Sequence, residues 1–158
     1  MIFSEVKNIT VSQGDVKKIN LTDNTILYEY VESLVCNPVV GISLSRDTSS
    51  TTSKKIKTTS TLSGISNSLI TDFCLLYIEK RYLGTRTLSI NTPRRTKKPF
   101  SITDLDTVNG IEKIFSLGIG TRISTVYVFR SYIKYTNLNG SIRTAYSDQV
   151  EASYNSLA

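Results

Sequence analysis

Apolar and polar residues alternate along much of this chain, with the two-residue period that is typical of strands with one buried face. The alternation is clearest over residues 125–135, where Tyr127, Phe129 and every second residue after them fall on one face. Residues 70–82 carry apolar side chains on both faces, which predicts a central strand covered on both sides. Shorter apolar or Thr-rich stretches predict further strands over residues 39–44, 56–63, 87–90 and 141–153.

The N-terminal part of the chain has a pattern of its own. Three stretches of alternating apolar positions lie between residues 6 and 30, and turn residues such as Gly14 and Asn24 separate them. This order predicts a β-hairpin or a three-stranded meander, which is too small to be stable alone. We therefore expect two units, a β appendage for assembly or anchoring over residues 1–35 and a main domain over residues 36–158.

The main domain contains about seven predicted strands joined by short turns, which favours an all-β sandwich over a closed barrel. Residues 45–55 are rich in Ser and Thr and poor in apolar residues, so we expect an exposed loop there. Residues 102–114 are open to two interpretations. They could begin a short helix, but Asn109 and Gly110 would interrupt it with a turn.

Residues 91–100 form a basic segment bracketed by prolines, with four cations within residues 94–98. These cations could grip the phosphate groups of DNA or an acidic patch on a partner subunit. The alternative is a solvated loop without a ligand. The four candidate residues are Arg94, Arg95, Lys97 and Lys98.

The composition favours a protein without catalytic activity. Thr, Ser, Ile, Val and Tyr are abundant, as expected for strands, and the chain has no His. The absence of His excludes Ser-His-Asp and Cys-His catalysis and zinc sites that use imidazole. Asp104 and Asp106 are spaced like the start of a calcium loop, but the Gly and Glu that such a loop requires do not follow. We expect no enzymatic activity, no cofactor and no metal.

The two cysteines, Cys36 and Cys74, are too few for a disulfide framework. They could pair in an oxidised protein, although two reduced thiols in the cytoplasm are the favoured interpretation. No apolar stretch approaches the roughly 20 residues of a membrane helix, and the N-terminus shows no secretory signal pattern. The net charge of +6 permits contact with nucleic acid or an acidic protein surface without requiring either.

Residues 56–150 resemble a divergent fibronectin type III domain, of the kind found in bacterial surface proteins and in virion proteins of phages of gut Bacteroidota. Residues 61–64 (TLSG) are similar to the end of the family's second strand, and residues 70–77 (ITDFCLLY) to its third. Residues 126–148 are similar to its closing hairpin. The resemblance implies an immunoglobulin-like or fibronectin III-like sandwich, with Tyr127 as the tyrosine-corner residue whose hydroxyl bonds nearby backbone.

Residues 9–29 resemble a segment common in phage and prophage virion proteins, with the pattern ITIPEGNVKKI followed by NGKVLWE. In this chain the matching stretches read ITVSQGDVKKI and DNTILYE. The resemblance implies an attachment hairpin that joins a small head or tail protein to its neighbours. The residues that we expect to contact a partner are Val16, Ile19, Tyr28 and Tyr30.

Together these features predict a structural component of a phage virion, assembled in the host cytoplasm. It would be a capsid auxiliary or decoration protein, or part of a ring near the portal or tail. Its partners would be other virion proteins and copies of itself, joined by buried interfaces and by strand addition. We expect no membrane partner. One alternative is an adhesin that binds the host surface through loops with clustered aromatics, and another is a DNA-contacting protein using residues 94–98. Tyr132 and Tyr154 are further candidates for exposed interface anchors.

Overall fold

The computed structural model describes residues 19–22, 25–28, 34–103 and 106–158, with the backbone alone over the first two ranges. The chain divides into two compact units, Met1–Val35 and Cys36–Ala158. Within the described residues no helix is both long enough and apolar enough to span a membrane.

The first unit contains a two-stranded antiparallel hairpin. Its strands are β1 (Ile19–Thr22) and β2 (Thr25–Tyr28), and Ile19 lies opposite Tyr28. The predicted strand over residues 6–11 lies outside the described residues.

The second unit is an antiparallel β-sandwich, as the alternating pattern predicts. It contains two separate sheets, so the sandwich interpretation is confirmed and the barrel alternative is wrong. Its elements are β3 (Cys36–Arg46), β4 (Lys55–Ile65), β5 (Ile70–Glu79), α1 (Lys80–Leu83), β6 (Thr96–Pro99), β7 (Ile111–Gly118), β8 (Tyr127–Thr136), β9 (Ile142–Tyr146) and β10 (Val150–Ala152).

Each sheet has a simple strand order. Strands β3, β4 and β7 form one sheet, with β4 in the middle. The other sheet runs β10-β8-β5-β6, and β9 also pairs with β8. Strands β9 and β10 are two parts of one returning strand, interrupted at Ser147, whose amide donates a hydrogen bond to the Ser131 carbonyl. This interruption is why the predicted strand over residues 141–153 appears as two.

Two apolar clusters hold the sandwich together, and β5 and β8 contribute to both. The cluster between the sheets contains Ile56, Leu75, Ile119, Tyr127 and Phe129. The second cluster lies on the outer face of the five-stranded sheet, where the segment after β5 folds back over it. Its members are Cys74, Leu76, Ile78, Leu83, Leu88, Val128 and Tyr132. Strand β5 is therefore central and covered on both sides, as its two apolar faces predict.

The structure corrects several local predictions. Asn37 and Pro38 lie within β3, at an irregularity in its pairing with β4, instead of preceding the strand. Residues 87–90 form no strand, although Leu88 is fully buried. The basic segment contains β6, which pairs with β5, and is not wholly a loop. In the interval 102–114, the Asp106 carboxylate accepts hydrogen bonds from the Val108 and Asn109 amides, which forms a turn before β7.

Tyr132 was expected to be exposed but is buried in the outer cluster, because Leu83 and Leu88 cover the face of β8 on which it lies. Tyr154 is half-buried, and the guanidinium of Arg46 lies 4.9 Å from the centre of its ring. Neither tyrosine is available as a freely exposed anchor in the described structure.

A hydrogen bond between two buried serines links the sheets. The hydroxyl oxygens of Ser60 on β4 and Ser131 on β8 are 2.7 Å apart, and both residues are completely buried. Each hydroxyl is satisfied by the other, so the polar pair is tolerated in an apolar interior.

We predict that Ser60→Ala or Ser131→Ala alone lowers the free energy of unfolding by about 1–3 kcal/mol, because the remaining hydroxyl is left buried without a partner. The double variant should lose less free energy of unfolding than the sum of the two single losses. Urea titrations of the four proteins measure this coupling. Ser43→Ala, at an exposed position of β3, is the control and should be near neutral. Additive losses would show that the bond does not explain the burial of these serines.

Candidate functional site

The four cations of the predicted basic loop have different neighbours in the structure. Lys97 donates to the Asp72 carboxylate at 2.5 Å, on the outer face of the sheet. Lys98 lies over the ring of Phe115 in the other sheet, with its Nζ 5.8 Å from the ring centre. Arg95 donates to the carbonyl of Thr92 at 3.0 Å, and its Nε is buried without a hydrogen-bond partner in the described residues. The predicted four-cation patch is therefore dispersed, because Lys97 and Lys98 alternate in direction along β6 and the two arginines lie before that strand.

Lys97 takes part in a polar network centred on Asp72. The Tyr132 hydroxyl donates to the Asp72 carboxylate at 2.8 Å, and the Cys74 thiol donates to it at 2.9 Å. Burial acts to raise the pKa of Asp72, but hydrogen bonds from Cys74, Lys97 and Tyr132 outweigh burial and hold that pKa below its ordinary value. Burial, reinforced by the bond to Asp72, raises the pKa of Cys74 to about 11 and that of Tyr132 above its ordinary range.

This network has a structural role because its groups saturate one another. Asp72 stays ionised, Lys97 compensates its charge, and the thiol and the phenol remain protonated donors. Both cysteines are free thiols. The Cys36 Sγ donates to Asn137 Oδ1 at 3.4 Å, so Cys36 has a hydrogen-bond partner outside the Asp72 network. In the described residues no three His, Cys, Asp or Glu side chains are grouped so that they could hold a metal.

Arg94 is placed differently from the other three cations. Its guanidinium carbon lies 5.6 Å from the centre of the Tyr82 ring, and that of Arg81 lies 4.6 Å from the same centre. Arg86 donates to the Tyr82 carbonyl at 3.0 Å. Tyr82 is 41% exposed. Two guanidinium groups, those of Arg81 and Arg94, therefore lie over one accessible aromatic ring, and a third arginine, Arg86, bonds the backbone of the same residue.

A fourth arginine joins this group through a shared carboxylate. Glu79, the last residue of β5, accepts from Arg81 Nε at 2.6 Å and from Arg122 Nη1 at 2.8 Å. The Glu79 side chain is 11% exposed, whereas those of Arg81 and Arg122 are 68% and 58% exposed. The carboxylate thus anchors the two guanidinium groups from below and leaves them facing solvent. We refer to Arg81, Arg86, Arg94 and Arg122 as the arginine cluster.

The backbone at Arg94 has an unusual conformation. Its φ angle is +60°, and it is the only non-glycine residue with positive φ in the described part of the chain. A residue with a Cβ typically loses about 1–2 kcal/mol in this left-handed region, where Gly or Asn is preferred. The conformation places the Arg94 side chain against Tyr82 in spite of that cost.

Strand β3 provides a second surface of interest because it forms one edge of the three-stranded sheet. Its segment 39–45 (VVGISLS) contains no charged residue and no proline. Val39, Ser43 and Ser45 are exposed on its outer side, and Val39 is 60% exposed. Among the described strands, none pairs with this edge of β3.

The other predicted site residues are placed as follows. Ile19 and Tyr28 are cross-strand partners at the open end of the hairpin, whereas Val16 and Tyr30 lie outside the described residues. Tyr127 is buried, and its ring centre is 6.3 Å from that of Phe129. Its hydroxyl forms no hydrogen bond with the described residues, so the bond that defines a tyrosine corner is not formed there.

The residues of the arginine cluster were missed in the sequence, except for Arg94. Arg122 and Glu79 are separated by 43 positions in the chain. The available signal was the Lys80-Arg81-Tyr82 stretch, in which two cations precede an aromatic residue immediately after the most apolar strand.

We predict that Asp72→Asn destabilises the protein at pH 7, and that the loss shrinks in acid. Because the folded pKa of Asp72 is depressed, its contribution is fully present above its unfolded pKa of about 3.9 and is lost as pH falls through the folded pKa. Urea midpoints of both proteins at pH 7 and pH 2.5 test this. Asp148→Asn, at an exposed carboxylate, is the control and should show no such difference. A gap that is equal at both pH values would contradict the charge-based explanation.

We also predict different reactivities for the two thiols. At pH 8 the buried Cys74 should react with a thiol-specific disulfide reagent only as fast as the protein unfolds, since its pKa of about 11 leaves almost no thiolate. The half-buried Cys36 should react first. Absorbance kinetics of the wild-type protein and Cys36→Ser measure this, and a fast phase that persists in Cys36→Ser would refute it.

Comparison with known proteins gives a weak structural likeness. No family model matches the chain, and no curated protein matches it. Among solved structures, the chain is similar to a protein from Bordetella pertussis described as ApaA. The two share 8% identity with a TM-score of 0.47, over 74% of this chain and 93% of that one.

Proposed function

We propose that this protein is a structural component of a bacteriophage virion that joins its neighbours by strand addition at the β3 edge. It would serve as a capsid auxiliary or decoration protein, or in a ring near the portal or tail. The observation that carries the proposal is the composition of the β3 edge, which differs from the other sheet edges of the sandwich.

The other edges carry features that discourage strand pairing. Strand β6 is four residues long and contains Lys97, Lys98 and Pro99. Strand β10 is three residues long, β9 is five residues long and carries Arg143, and β7 carries Glu112 and Lys113. Short strands, lysines and prolines are the usual means by which proteins protect exposed edges. Strand β3 carries Pro38 near its start and Arg46 at its end, but its segment 39–45 has none of these features, so this segment is the stretch of edge best suited to accept a strand.

Strand addition at β3 would combine backbone and side-chain contributions. Each added backbone hydrogen bond contributes about 0.5–1.5 kcal/mol net. An added strand would also cover part of Val39, which is 60% exposed. Such a contact is modest for one pair of chains, and in an assembly of many copies the contacts reinforce one another.

The N-terminal unit supplies a suitable donor. The β1–β2 hairpin has two strands of four residues each, and a hairpin of this size is marginal by itself. Joining the sheet of a neighbouring subunit would complete its hydrogen bonding. The resemblance of residues 9–29 to the attachment segments of virion proteins supports this role, and so does the resemblance of residues 56–150 to domains that occur in such proteins.

The adhesin alternative has less support. It predicted aromatic side chains clustered on loops at one end of the sandwich. Among the described residues, Tyr82 is the one exposed large aromatic side chain, and the guanidinium groups of Arg81 and Arg94 lie over its ring.

We predict that the full chain forms oligomers and that Ser43→Lys shifts it toward the monomer. Ser43 is exposed on β3, and a lysine on an edge strand opposes pairing with another strand. Light scattering coupled to size-exclusion chromatography at equal protein concentrations measures the mass. The expected change is from a multiple of the chain mass to the mass of a single chain.

Thr59→Lys is the matched control, because Thr59 lies directly opposite Ser43 on the same face but on the central strand β4. If copies meet through the edge, this variant should assemble like the wild-type protein. A monomeric wild-type chain would overturn the proposal. Equal loss of mass in both variants would place the contact on the sheet face and would also overturn strand addition at β3.

A further inference from the structure

We propose that the arginine cluster binds the phosphate backbone of a nucleic acid, with Tyr82 contributing an aromatic surface for the bases. The inference is independent of strand addition, because the cluster uses no residue of β3. It also differs from a grip by residues 94–98, since only Arg94 of that segment takes part.

The geometry of the cluster is suited to phosphate. All four cations are arginines, whose planar guanidinium groups present paired N–H donors that match phosphate oxygens better than the point charge of a lysine does. Arg81 uses Nε and Arg122 uses Nη1 to bind Glu79, so each keeps further donors for a ligand. Arg94 forms no hydrogen bond with the described residues, and its guanidinium carbon lies 5.6 Å from the centre of the Tyr82 ring.

The charge at this position is not compensated. Arg81 and Arg122 share one carboxylate, that of Glu79, and neither Arg86 nor Arg94 forms an ion pair with a carboxylate of the described residues. By contrast, the neighbouring Lys80 is paired with Glu151 at 2.5 Å, and Lys97 is paired with Asp72. These two lysines are thus neutralised by direct partners, whereas the cluster retains positive charge that an anionic polymer can neutralise.

The backbone of Arg94 gives a second, independent reason. Glycine adopts this left-handed conformation without strain. Replacing Arg94 by glycine would therefore stabilise the protein, and an arginine is expected here only if its side chain has a role. Strained backbone of this kind is concentrated at functional sites, where the position of a side chain matters more than local stability. The strain at Arg94 therefore points to a ligand for its guanidinium group.

Nucleic acid fits this surface better than an acidic protein does. Acidic residues could satisfy the arginines but would make no use of an exposed aromatic ring. Nucleic acid supplies phosphates for the guanidinium groups and flat bases or sugars for Tyr82, in the combination of cations and aromatic side chains seen where proteins bind single strands.

The test compares Arg94→Gly with Arg143→Gln in the full chain. Both variants lose one positive charge, but Arg143 is an exposed residue of β9, paired with Tyr135 near the far end of β8 from the cluster. Fluorescence anisotropy with a labelled 30-nucleotide oligo-dT measures the dissociation constant from 50 to 200 mM NaCl. Thermal unfolding is followed on the same samples.

The wild-type protein should bind the oligonucleotide with an affinity that falls steeply as salt rises. Arg94→Gly should bind about fivefold to tenfold more weakly, with the slope of log K against log salt reduced by about one. Arg143→Gln should stay within about twofold of the wild-type protein, because its charge acts only through screened long-range attraction. The melting temperature of Arg94→Gly should be unchanged or a few degrees higher, so its weaker binding cannot come from unfolding.

Three results would overturn the proposal. The first is no binding by the wild-type protein at 50 mM NaCl. The second is an equal loss in both variants, which would show attraction by net charge alone. The third is a labelled 30-residue poly-glutamate that binds as tightly as the oligonucleotide and is equally sensitive to Arg94→Gly, which would identify an acidic protein as the partner. The Ser43→Lys monomer should still bind the oligonucleotide at 50 mM NaCl, more weakly than an assembled array but with the same proportional loss when Arg94→Gly is added, so this proposal and strand addition can fail separately.

Discussion

The pairing of β5 with β8 is the interaction on which the rest of this fold depends. These two strands lie side by side in the five-stranded sheet, and their alternating residues supply both apolar clusters. Leu75 and Phe129 pack against the three-stranded sheet, while Cys74 and Tyr132 pack beneath the segment that follows β5. A shift of one residue in this register would exchange the two faces of a strand and disrupt both clusters together.

The same pairing determines where the charged groups lie. Asp72 and Tyr132 share the outer face of adjacent strands, which allows the carboxylate to accept the phenol and to hold Lys97 of β6. At the other end of β5, the chain must turn to cover the outer cluster with Leu83 and Leu88. That turn carries Arg81 and Arg86, so covering the apolar face is what brings the arginines to the surface around Tyr82.

The sequence allowed the architecture to be predicted better than the surfaces. Two-residue alternation identified the strand around Phe129, and apolar residues on both faces identified β5 as central. Both predictions were possible because buried positions of a strand are occupied by apolar residues. Tyr132 was misjudged because the residues that bury it, Leu83 and Leu88, come from a four-residue helix and the loop after it, which are too short to show periodicity. The pairing of Glu79 with Arg122 depends on how two distant turns meet, which no local pattern encodes. Lys97 and Arg94 are close in sequence but have different partners, since Lys97 lies in strand β6 whereas Arg94 lies in the turn before it with a left-handed backbone.

The two proposed surfaces use separate parts of the sandwich, and this separation has a physical consequence. Strand addition at β3 extends the three-stranded sheet and covers no residue of the arginine cluster. An assembly built through β3 would therefore display one accessible cluster per copy at regular intervals. A single cluster of four guanidinium groups makes few phosphate contacts and is weakened by physiological salt. Several clusters along one polymer act at a high effective concentration, so an array can bind a nucleic acid that a single copy releases. Binding to the polymer would in turn favour the assembled state, because it stabilises the form that presents more clusters.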